Sequence, residues 1–172
     1  MPRIDWPGSV RRGWLFLAIA TVVIALDQIS KLFIRNNLAL HDSIPISSHL
    51  NIVHWSNTGS AFGLFSNQTF LLSLVAIAGL IVILLFYRYF SESSTLSGPA
   101  LGMIFGGAAG NLIDRFHLGY VIDFIDVRLW HDTHWPAFNI ADSAITIGTI
   151  VLAFFLFLTL KKENDHSTKT KS

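Results

Sequence analysis

The 172-residue chain contains no cysteine, which excludes disulfides, thiolate metal sites, iron–sulfur clusters and a cysteine nucleophile. Charge is scarce as well. Asp, Glu, Lys and Arg make up 13% of residues, against about 25% in an ordinary soluble domain. Twelve basic and eleven acidic residues leave a formal net charge of +1, so no basic field gathers phosphates and nothing speaks for nucleic acid as a partner. The seven histidines show no H-E-x-x-H spacing, and no Gly-x-Ser-x-Gly elbow is present. What the chain has in excess is apolar surface. With 52% hydrophobic residues, 14 Phe and 5 Trp among them, it carries more than one core of this size needs, and lipid is the expected solvent for the rest.

Four apolar runs are long enough to cross a hydrocarbon layer of about 30 Å as helices: Trp14 to Ile34, Phe70 to Phe90, Ala100 to Phe116 and Asn139 to Leu160. Backbone amides in lipid need internal partners, so the fold class is an all-α membrane protein of four transmembrane helices in one domain over residues 1–172. The segments 36–69 and 117–138 then lie outside the membrane. The first of them has strand composition at Leu50 to Val53, with Ser43 to Ile46 as the expected partner, giving a small β-containing segment. Arg11, Arg12, Arg88, Lys161 and Lys162 flank the opposite helix ends, which places both termini in the cytoplasm and the loops on the extracytoplasmic side. The first run lacks a small-x-small cleavage pattern and reads as an uncleaved helix. Trp55, Trp130 and Trp135 suit the outer interface, and the external histidines are expected to meet water or lipid head groups. The polar tail from Glu163 to Ser172 is expected to be disordered.

Against this background each buried polar group needs a reason. Asp27 and Lys31 stand at i, i+4 with the acid first, the order that suits an ion pair tying the first helix to its neighbours. Gly98, Gly102, Gly106 and Gly110 form a small-residue ridge, a signal for close helix packing within the chain or between chains. The same helix then delivers Asn111, Asp114 and Arg115 to one side; Asp114 with Arg115 reads most simply as a salt bridge, while Asn and Arg are suited to holding peptide carbonyls. Asp123 sits among Val121, Ile122, Phe124 and Ile125, where desolvation raises a carboxyl's pKa. Asn139 and Asp142 share a face at a helix start, so capping competes with chemistry as the role of Asp142. If the last two helices pack together, Asp123 and Asp142 can meet, share a proton and supply one acid and one base.

The runs Gly106 to Arg115, Val121 to Phe124 and Phe138 to Ser143, with Asp27 and Lys31 and the stretch Asn57 to Gly63, resemble the bacterial lipoprotein signal peptidases (signal peptidase II). The resemblance covers nearly the whole chain. It implies an inner-membrane aspartyl endopeptidase, without cofactor or metal, that removes signal peptides from diacylglyceryl-modified prolipoproteins just before the lipidated cysteine. It further implies Asp123 and Asp142 as the catalytic pair. Asn57, Asn111, Asp114, Arg115 and Asn139 would line the substrate site, which is also the site of cyclic peptide antibiotics, and Asp27 and Lys31 would support it. Three rival readings stand beside it: Asp123 and Asp126 as a Mg²⁺ pair on a lipid pyrophosphate, a proton-linked transporter, and a peptidase using Ser30 with Lys31.

Overall fold

The structure, a computed structural model, describes residues 7–59, 68–93, 97–130 and 133–169. Four helices, α1 (Pro7–Asn37), α2 (Thr69–Ser93), α3 (Ser97–Leu118) and α4 (Ile140–Lys169), are joined at one end by an antiparallel sheet. Its strands are β1 (Ser43–Pro45), β2 (Leu50–Asn57), β3 (Val121–Trp130) and β4 (Thr133–Phe138), in the order β1-β2-β3-β4. The expected pairing of Ser43 to Ile46 with the Leu50 segment is found, Ser43 lying opposite Val53. The sheet is larger than expected because the two loop segments pair with each other through β2 and β3.

Three helical stretches are apolar and long enough to span a membrane: Gly13–Asn37, Thr69–Tyr87 and Ile140–Lys161. The expected fourth span, inside α3, falls short on apolarity, and the reason is its position. α3 packs against α1, α2 and α4 at once, so it presents small residues to helices where the others present Leu, Ile and Phe outward. Its glycines are intramolecular contacts. A Cβ at Gly102 or Gly106 would stand 2.8 Å from the carbonyl oxygens of Phe16 and Ala20 in α1, and one at Gly107 would strike the Ala141 carbonyl in α4. α3 stops at Gly119, whose φ of 80° admits the left-handed turn while its N–H closes on Arg115 O at 3.1 Å. The chain then turns straight into β3.

Beneath the sheet, Ile34, Ile122 and Phe124 form a core cluster with Ile52, Tyr120 and Ile140 packed around it. This locks the sheet to the ends of α1 and α4. The tail expected to be disordered is helical as far as Lys169. Residues Ser60 to Gly63 of the Asn57 motif, and His131, lie outside the described residues.

Candidate active site

The site forms where β4 passes into α4. Asn139 caps that helix: its Oδ1 accepts the Asp142 N–H at 2.9 Å, and Asp142 Oδ2 accepts the Asn139 N–H at 3.2 Å. This reciprocal capping box satisfies two helix-end donors. A third is taken from across the molecule, since Asp27 Oδ1 in α1 accepts the Ala141 N–H at 3.0 Å. Capping and chemistry are thus compatible at Asp142, whose second oxygen, Oδ1, receives Asn111 Nδ2 at 2.8 Å.

Asn139 also joins the two acids. Its Nδ2 donates to Asp123 Oδ1 at 2.8 Å while its backbone N–H serves Asp142. The second oxygen of Asp123 accepts Asn57 Nδ2 at 2.9 Å. The β2–β3 register explains that contact: Asn57 pairs with Val121, so Asp123 is its diagonal neighbour. Asn57 is held in turn by Gly59 N–H on its Oδ1 at 2.9 Å. Burial first, and then the charge of Asp142, push the Asp123 carboxyl up to about 7, against the opposing pull of Asn57, Lys31 and Asn139.

Behind the acids lies a buried ionic cluster. Lys31, 2% exposed, donates to Asp27 Oδ2 at 2.8 Å, Asp114 Oδ2 at 2.9 Å and Asn111 Oδ1 at 3.0 Å. An ammonium only donates, so Asn111 must turn its oxygen to Lys31 and its NH₂ to Asp142. The amide orientation at the site is fixed from behind by a charge that never reaches the cavity. Gln28, a residue that spacing did not single out, completes the cluster by donating to Asp114 Oδ1 at 3.0 Å and the Gly110 carbonyl at 3.2 Å. Its one sequence signal is an amide next to Asp27 in an otherwise apolar run.

An apolar cavity of about 780 Å³ opens beside these groups, and Asn57, Asn111, Arg115 and Asp142 are on its wall. Asp123 lies just behind Asn57. Asp114 and Asn139 are buried, like Asp123, and do not form part of that wall. The expected Asp114–Arg115 salt bridge does not form. Lys31 takes Asp114, which also accepts the Ile122 N–H at 3.1 Å, and Arg115 reaches the carbonyls of Gly59 and Asn111 at 3.4 and 3.5 Å. These are long contacts for a charged donor.

Features behind two of the rival readings are engaged elsewhere. Asp126 is bound to Asn51 and His134, and Ser30 Oγ donates to the Asp27 carbonyl at 2.8 Å. Of the histidines expected to meet water or head groups, His54 does not conform, being buried with Nδ1 on the Leu38 carbonyl, whereas His134 is exposed and pairs with Asp126.

Apolar spans, a sheet across one end and two carboxyls bridged beside an apolar cavity define a class, the helical membrane protein built around an acidic site. The profile of the family described as Signal peptidase (SPase) II matches residues 19–158. The chain belongs to that family. It is 44% identical over 146 residues to the lipoprotein signal peptidase of Moorella thermoacetica, covering 83% of this chain and 93% of the other. The lipoprotein signal peptidase of Pseudomonas fluorescens is 38% identical over 158 residues, covering 88% and 91%. A solved bacterial membrane enzyme, determined by the in meso method, matches with a TM-score of 0.74 at 30% identity over 96% of this chain and 95% of its own.

Proposed function

We propose that the chain is an aspartyl endopeptidase of the bacterial inner membrane that removes the signal peptide from diacylglyceryl-modified prolipoproteins, cutting on the N-terminal side of the lipidated cysteine. The observation that carries this reading is the joint hold of Asn139 on Asp123 and Asp142 beside the cavity. The pair holds one proton between two carboxyls. The ionised member takes a proton from water, which attacks the scissile carbonyl, and the protonated member delivers its proton as the tetrahedral intermediate collapses. No acyl-enzyme forms. Arg115, Asn57 and Asn111 are the donors on the cavity wall suited to the developing oxyanion, while Asn139 and Asp114 act from beneath. Asp27 and Lys31 hold the helices that carry the site.

In this reading all four helices cross the membrane, both termini are cytoplasmic and residues 1–172 form one domain. The active site sits near the extracytoplasmic face. There the substrate's acyl chains stay in membrane lipid while its peptide enters the cavity, the place also suited to cyclic peptide antibiotics. The test is cleavage of a purified diacylglyceryl-modified prolipoprotein beside its unmodified form. Asp123→Asn and Asp142→Asn should each abolish cleavage while the fold is kept, and the unmodified substrate should be cut far more slowly. Undiminished cleavage by either variant overturns the aspartyl mechanism, and equal turnover of the two substrates overturns the lipoprotein assignment.

A further inference from the structure

Asp126 is a buried carboxyl that hydrolysis at Asp123 and Asp142 does not use. It stands directly across the ladder from Asn51 of β2, whose Nδ2 donates to Asp126 Oδ2 at 2.7 Å. On the other side, His134 of β4 lies opposite Arg128 of β3, one diagonal step from Asp126. Its Nδ1 is 2.8 and 2.9 Å from the two oxygens of the same carboxyl. A carboxylate only accepts, so Nδ1 carries the hydrogen, and it does so whether the ring is neutral or cationic. Side chains of three strands therefore converge on one buried group.

The ladder around this point is irregular. The β3–β4 register shifts between Ile125 and Val127 and again between Arg128 and Trp130, and Pro136 brings no N–H to β4. Backbone pairing alone leaves such a strand weakly fixed. Yet the four residues that follow His134, namely Trp135, Pro136, Ala137 and Phe138, all line the cavity. The clasp sits where the wall begins.

We propose that Asp126, gripped by Asn51 and His134, is a positioning residue that holds the β4 wall against the cavity and so governs capture of the substrate's apolar peptide segment and not the hydrolytic step. The inference rests on the peptidase reading given above. Steady-state cleavage of a diacylglyceryl-modified prolipoprotein tests it. His134→Ala should raise KM about tenfold, the scale of one lost hydrogen bond to a charged group, with kcat within about twofold. His134→Asn, whose Nδ2 stands where the imidazole Nδ1 does, should restore KM to near its original value. A fall in kcat at unchanged KM, an unchanged KM in His134→Ala, or equal damage in His134→Asn and His134→Ala overturns the proposal. A second measurement separates it from the reading it rests on: in an Asp123→Asn background, His134→Ala should weaken binding of intact substrate by the same factor. An Asp123→Asn protein that still cleaves sinks the aspartyl mechanism and leaves the clasp to be judged on KM.

Discussion

Asp123 carries a cost that the site requires. Its carboxyl is raised from the usual 3.8 to about 7, first by burial and then by Asp142. Between those values the folded protein keeps a proton that the unfolded chain releases, so stability falls as pH rises through the window and levels off above it. A shift of about three units corresponds to a ceiling of roughly 4 kcal/mol at ~1.4 kcal/mol per unit. Asp123→Asn cannot titrate. The melting temperature of that variant, minus that of the parent, should therefore grow from pH 4 to pH 8, and the parent's cleavage should decline as pH rises through about 7. A difference that stays flat across the range would show that Asp123 titrates in the folded protein as it does in the unfolded chain.

At this scale the residue types of the site were legible and their partners only partly so. The spacing of Asp27 and Lys31 announced their ion pair, found at 2.8 Å. The partner of Asp114 was not legible, because adjacency favours Arg115 whereas burial favours Lys31, whose three donors need three acceptors. That choice is made by the packing of α1 on α3, which no local spacing encodes.

Among the elements, helix existence followed from apolar runs, and the glycine ridge correctly announced a close helix contact without saying whose. The structure answers with α1 for Gly102 and Gly106, and with α4 for Gly107. Gly106 and Gly79 make a controlled pair. A Cβ at Gly106 would lie 2.8 Å from Ala20 O and 2.9 Å from Val23 Cβ, both on a fixed helix, whereas at Gly79 in α2 nothing lies within 4 Å. Gly106→Ala should destabilise the folded protein by about 1–3 kcal/mol, the usual cost of overpacking. Gly79→Ala should be neutral or should stabilise by up to about 1 kcal/mol through helix propensity. Thermal melts of the two purified variants decide it, and equal melting temperatures would mean that α1 and α3 can part without loss. Strands β3 and β4 were the least legible elements. Val121 to Phe124 are all buried, so the alternation that marks a half-buried strand is missing, and β4 contains a proline.

For the whole molecule the number of crossings turns on α3. Hydropathy alone finds three spans, yet the sheet constrains the path between them. β2 leads into α2, α3 leads out into β3, and β2 and β3 are hydrogen-bonded neighbours. A chain that leaves the sheet end along α2 and returns to it along α3 must recross whatever α2 crosses. The 22 residues of α3 span about 33 Å at 1.5 Å per residue, enough for that return. Its weak apolarity is the mark of a helix surrounded by other helices: buried glycines and Ala100 stand where lipid would select larger aliphatic side chains. Three crossings put the termini on opposite sides of the membrane and four put them on the same side. The absence of cysteine makes the distinction clean, since any introduced thiol is the sole one. A membrane-impermeant maleimide should label a cysteine placed after Met1, and one appended after Ser172, only in inside-out vesicles. Ser48→Cys, exposed at the sheet end, should be labelled only in spheroplasts. Opposite labelling of the two ends would remove α3 from the membrane and, with it, the proposed four-span arrangement with the acids at the extracytoplasmic face.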